Sequence, residues 1–222
     1  SRVQSPNTNE YNRTKLDSHA DTCVAGANTV PLWFSDETVT VAPFIGEYDP
    51  LRDVPIASVA TAWDSPIDGS TTLLVINEAL YFGDRMPHML LCPNQLRFNG
   101  VNVYDTPKAF DPNSPHAIII PGQVELPLQL NGVISFLETR KPTEEEILGC
   151  ERVELTSAAP WNPFSTLFQE QEELQRRRNT CAVSQYDPPE LLEDILPRLV
   201  QAIHVCPPPE EGQELDSTTW RE

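Results

Sequence analysis

The run Lys15-Leu16-Asp17-Ser18-His19-Ala20-Asp21-Thr22-Cys23-Val24 holds the densest chemistry in the chain. A carboxylate is flanked by an apolar residue and a hydroxyl, and a second carboxylate and an imidazole follow within four positions. Asp17, His19 and Asp21 alternate, so an extended strand would bring all three to one face, a set that suits a divalent cation. No second His-rich segment completes such a shell, because His88, His116 and His204 stand apart. His116, just ahead of an apolar run, reads as a surface residue at a strand entrance. Other site chemistries lack their parts. There is no Gly-x-Ser-x-Gly elbow, Cys23 has no activating neighbour, and a chain with only 9 Gly carries no phosphate-cradling loop.

The elements that must position this run are short. Apolar stretches rich in Val, Ile, Leu, Thr and aromatics, broken by Pro, Gly, Asn and Asp, predict strands at 15–16, 38–42, 54–63, 71–77, 80–82, 89–91, 101–103, 117–120, 124–130 and 133–137. Asn131-Gly132 is the strongest hairpin turn, and Pro66-Ile67-Asp68-Gly69 is a second. Many short strands at this spacing predict an all-β fold, a small barrel or sandwich. The texture changes at Glu138. Thr143-Glu144-Glu145-Glu146 is a capping box for a short helix ending near Gly149, Thr166 opens another helix, and Asp187 a third whose apolar stripe Pro197 should kink. The predicted organisation is a flexible segment over 1–13, a β-domain over 14–137, and an acidic, partly helical extension over 138–222.

The run at Asp17 resembles the catalytic loop of retropepsin-like aspartic proteases, which reads Leu-Asp-Ser/Thr-Gly-Ala-Asp/Thr. A second stretch follows in order. Ala79-Leu80-Tyr81-Phe82-Gly83, then Met89-Leu90-Leu91-Cys92 and Gln95-Leu96, is similar to the Val-Leu-Tyr-Val-Pro, Asn-Leu-Leu-Ser and Gln-Leu segments of copia-type LTR retrotransposon proteases. Met89 stands where that family has Asn, Cys92 where it has Ser, and Phe82-Gly83 where it has Val-Pro. The likeness covers residues 15–103. It implies a retropepsin-like closed β-barrel in which 89–91 is a strand packed under the catalytic loop, followed by a short helix.

The same resemblance assigns roles. Asp17 is the catalytic carboxylate, Ser18 the hydroxyl that orients it, and His19, Ala20, Asp21 and Thr22 support the loop. His19 replaces the family's Gly, so its imidazole either crowds the cleft or points away from it. The segment between Val41 and Val54 would be the flap, with Phe44, Ile45 and Tyr48 lining subsites and Gly46 giving flexibility. Aspartic proteolysis needs two close carboxylates sharing one proton, since like charges at that distance cannot both ionise. Only one well-placed copy exists here: Leu215-Asp216-Ser217-Thr218 lies in the terminal tail, and Asp105-Thr106 is followed by Pro107. A homodimer is therefore implied, with one Asp17 from each chain.

Bulk properties bound the partners. The 222 residues carry 15 basic and 33 acidic side chains, a net charge of −18, which opposes binding to nucleic-acid backbones and to anionic membranes. No apolar run approaches the roughly 18 residues of a membrane helix, and the opening is not that of a signal peptide. Five scattered Cys form neither a zinc pattern nor a disulfide framework, so a reducing, cytoplasmic setting is expected. Two expectations follow. The first is a homodimeric aspartic endopeptidase that processes a polyprotein, without cofactor or metal. The second is an inactive barrel of retrotransposon origin that serves as a dimerisation or interaction module.

Overall fold

A computed structural model of the chain describes residues 12–42 and 49–184, with side chains as far as 178. Two compact units divide at residue 164, Ser1–Phe164 and Ser165–Glu222. Within the first, β1 (Arg13–Leu16), β2 (Val24–Gly26), β3 (Val30–Val41), β4 (Leu51–Asp64), β5 (Thr71–Gly83) and β6 (Met89–Leu91) come before the short helix α1 (Pro93–Phe98). There follow β7 (Asn102–Tyr104), β8 (Ala117–Ile120), β9 (Val124–Pro127), β10 (Gln129–Asn131), β11 (Ile134–Glu138), α2 (Glu144–Gly149) and β12 (Glu151–Glu154). The second unit contributes α3 (Thr166–Ser184), on which Glu173 pairs with both Arg176 and Arg177. No helix among the described residues is long and apolar enough to cross a membrane.

The all-β expectation holds in its coarse form, and the finer one is corrected. Nine strands form one sheet in the order β10-β11-β1-β6-β2-β5-β4-β3, with β12 added to β5. Among the described residues β3, β10 and the added β12 each have a single strand partner, so the sheet does not close into a barrel. It curls only as far as a single antiparallel bridge, Ala62 to Arg140, made by two backbone bonds of 2.9 Å. The strands β7-β8-β9 form a separate small sheet, and Val103, Ile118, Ile120 and Leu126 from it join Leu74, Ile76 and Leu96 in one continuous apolar core. Each such buried Leu contributes about 2–5 kcal/mol against truncation to Ala.

Several elements differ in detail from the strands read in the sequence. The stretches 71–77 and 80–82 are one strand, because Glu78 takes a left-handed φ of +54° and lets a bulge absorb the break opposite β4. The stretch 124–130 is two strands: at Leu128 the chain leaves β8 and crosses to β11. The hairpin turn sits one residue later than expected. Asn131 pairs with Ile134, so Gly132 (φ +63°) and Val133 form the two-residue loop and only the glycine needs positive φ. The β-unit also runs past residue 137. β12 pairs in parallel with β5, and behind it Leu155 and Thr156 are wholly buried. The third helix, from Asp187, lies outside the described residues.

The capping box forms as read: Thr143 Oγ1 accepts from the Glu146 amide, and the Glu146 carboxylate accepts from the Thr143 amide. That carboxylate also receives Arg140 at 2.6 and 2.8 Å, while Arg140 forks onto Asp64 at 2.8 and 2.9 Å. Arg140 thus ties α2 to the end of β4 beside the bridge that limits the curl. Its guanidinium holds Glu146 down to about 2, from an ordinary 4.5, and lowers Asp64 as well. The unfolded chain therefore takes up these protons first. Their stabilisation is complete above about pH 4.5 and fades as pH falls toward 2. Urea midpoints across that range should show this acid-side loss, and Glu146→Gln should flatten it; an unchanged slope would refute the cluster's role.

Candidate active site

The site is built by threading. β1 and β2 are consecutive in sequence but not neighbours in the sheet, because β6 lies between them, parallel to β1 (Leu16 beside Leu91) and antiparallel to β2 (Val24 beside Leu90). The connecting residues 17–23 must therefore cross the end of β6. β6 and α1 match the strand and short helix expected under this loop. Pro93 suits the first turn of α1, where its missing N–H would go unpaired anyway.

The loop is pinned at both ends. The Asp17 amide donates to the Leu91 carbonyl at 3.0 Å, and the Ala20 amide to the Asp17 carbonyl at 3.3 Å. At the far end the Cys23 amide donates 2.8 Å to Oε1 of buried Gln95, whose amide nitrogen in turn bonds the Glu78 carbonyl at 3.2 Å. The Cys92 amide meets the Cys23 sulfur at 3.2 Å. Burial raises the Cys23 thiol far above its ordinary range and pushes Cys92 up too, so neither offers a thiolate. Among the described residues Cys23, Cys92 and Cys150 are free. Beyond the loop the backbones come close at Gly26, where a Cβ would collide with the His88 carbonyl.

Asp17 is half-buried, and Oδ1 accepts the His19 amide at 2.9 Å. The Ser18 hydroxyl, expected on that carboxylate, instead lies 3.4 Å from Nδ1 of His19. Ser18, His19 and Asp21 are exposed, and Ala20 and Thr22 half-buried. His19 has no left-handed backbone, so this loop does not require glycine there, and its imidazole stands at the rim. Asp17, His19 and Asp21 lie on a turn rather than on one strand face, and no group of three His, Cys, Asp or Glu placed to hold a metal occurs among the described residues. Of the flap, Phe44, Ile45, Gly46 and Tyr48 lie outside the described residues. The strands on either side of the segment expected as a flap, β3 and β4, pair antiparallel, with Val41 opposite Leu51.

A cleft of about 360 Å³ opens beside Asp17. Leu16 through His19 form one wall; Val133 of the β10–β11 turn with Ile134 and Ser135 of β11 form another, and Asp105 adds a second carboxylate. Asp105, set aside in the sequence because of Pro107, arrives here because β7 ends beside the loop; Arg97 stands 3.7 Å from it. His116 is likewise not the surface residue expected. It is 7% exposed, with φ +48°, and its Nε2 lies 3.0 Å from Ser135 Oγ. Nothing local in the sequence marks either residue: tertiary packing brings Asp105 to the cleft and sets His116 behind it, against Ser135. Comparison with protein-family models, curated proteins and solved structures finds no match to this chain.

Burial first, then Lys108, lowers the His116 pKa below its ordinary 6.5, against an opposing pull from Asp105. The unfolded imidazole binds its proton first, so the native state is favoured fully above about pH 6.5 and loses this contribution as pH falls below it. His116→Asn should flatten stability between about pH 5 and 7 in chemical denaturation; a variant with the wild-type slope would disprove the assignment.

Proposed function

We propose that the chain is a retropepsin-like aspartic endopeptidase of the copia type, active as a homodimer in which two Asp17 carboxylates form the catalytic pair. The observation that carries this reading is Asp17 presented by a loop threaded over β6 and held by backbone bonds at the wall of an open cleft. One protomer's carboxylate takes a proton from water, and the resulting oxygen nucleophile adds to the scissile carbonyl carbon. The partner carboxyl, carrying the shared proton, gives it to the carbonyl oxygen. Collapse of the tetrahedral species breaks the C–N bond as the amine is protonated. A net charge of −18 favours a polypeptide substrate, such as a polyprotein, over nucleic acid or an anionic membrane.

One observation favours a second reading, an inactive interaction module of the same origin. The Ser18 hydroxyl faces His19, leaving the Asp17 carboxylate to a single backbone amide. One experiment separates the two. Cleavage of an unfolded protein at about pH 4–6 should be blocked by pepstatin and fall about 10²–10⁴-fold in Asp17→Asn. Sedimentation should give a dimer at the active concentration. Activity that survives Asp17→Asn would eliminate the protease reading, and an inert dimer would establish the module.

A further inference from the structure

We infer that Trp161 is a positioning residue for the Asp17 loop, so that the segment after β12 belongs to the catalytic apparatus. The inference rests on the protease reading above. The segment leaves the sheet firmly anchored. β12 runs beside β5 from Glu151–Thr72 to Glu154–Val75, and the Leu155 amide extends the ladder to the Val75 carbonyl at 2.8 Å. Thr156, wholly buried, closes a reciprocal set with Asn77: its hydroxyl accepts the Asn77 amide at 2.7 Å and donates to the Asn77 carbonyl at 2.8 Å. The Asn77 side-chain nitrogen donates to the Thr156 carbonyl at 2.9 Å. From this anchor the chain turns back across the mouth of the bulge at Glu78, whose carboxylate lies 3.4 Å from the Trp161 amide.

The indole then reaches the loop. Nε1 of Trp161 donates 2.9 Å to the carbonyl of Asp21, a residue 140 positions earlier, while the ring packs edge-on against Phe98 at 5.4 Å. The loop's other ties are at its ends, Asp17 to Leu91 and Cys23 to Gln95. The indole bond falls between them, on the peptide that turns the exposed crest back toward the core. Phe98 closes α1 and Gln95 is part of the same helix, so the crest and the far end of the loop are set from one rigid piece. Losing the indole N–H releases the crest while leaving the strand pairing and the Thr156–Asn77 set intact. Asp17, which accepts the His19 amide from that crest, then loses its fixed orientation.

The test uses the full chain in three forms: wild type, Trp161→Phe, and Ile76→Val as a core control of reduced stability. Hydrogen exchange of a peptide spanning 17–23 should quicken about tenfold in Trp161→Phe, the equivalent of one net hydrogen bond, and stay unchanged in Ile76→Val. Peptidase kcat should fall about ten- to a hundredfold with KM held within about twofold, as misorientation of a catalytic group requires. Unchanged loop exchange, or faster exchange with unchanged kcat, would overturn the inference. If wild type shows no peptidase activity, the protease reading fails by itself, and loop exchange still reports whether Trp161 holds the loop. Should Trp161→Phe not fold, the indole N–H resonance of Trp161 decides: it should move on Asp17→Asn while that of core Trp63 stays, and a stationary signal refutes the coupling.

Discussion

The passage of β6 between β1 and β2 is the constraint on which the rest of this structure depends. Three residues, Met89–Leu91, carry ladder bonds on both edges and pack apolar side chains beneath the loop. Because the outer strands are consecutive in the chain, their connection has no choice but to cross the end of the central one, and the Asp17 amide is thereby fixed on the Leu91 carbonyl. Backbone geometry, rather than side-chain chemistry, puts the carboxylate where it is. That explains how the loop accepts His19 at a place where glycine is expected. The close backbone approach is made at Gly26 instead.

Around this knot the polar interior is economical and nearly complete. Gln95 serves Cys23 and Glu78, Asn77 serves Ser58 and Thr156, and each bond joins elements distant in sequence. Buried amides of this kind stabilise modestly when satisfied and cost about 1–3 kcal/mol each when a partner is lost, so they specify register more than they add stability. The salt-bridge cluster at Arg140 acts differently. It is solvent-facing and weak per contact, yet it sits at the Ala62–Arg140 bridge, where the curled sheet meets itself.

What could be read in the sequence was what local rules control. The strands at 89–91 and 117–120 and the Thr143 capping box follow from residue type and spacing within a few positions, and they form where expected. The run at Asp17 stood out for the same reason. The failures are tertiary. β2 is three residues of Val-Ala-Gly with no period of its own, and β12 reads Glu-Arg-Val-Glu, a polar tetrad that becomes a strand only because β5 offers it an edge. Leu128 continues an alternating pattern, yet the chain changes sheets there. Asp105 at the cleft, His116 behind Ser135 and Trp161 on the Asp21 carbonyl all come from loops whose paths no local pattern encodes. Closure failed as a prediction because period-two alternation reports which face is buried, not how far a sheet bends.

The pairing of Arg13 with Glu138 has a temporal consequence. A ribosome extends a chain at about 5–20 residues per second, so roughly six to twenty-five seconds separate synthesis of the first strand from that of its partner. Throughout that interval β1 lacks one edge, and contacts so distant in sequence also form slowly once available. A nascent chain thus carries the Asp17 run early, but in an unorganised state until the last neighbour of β1 has emerged.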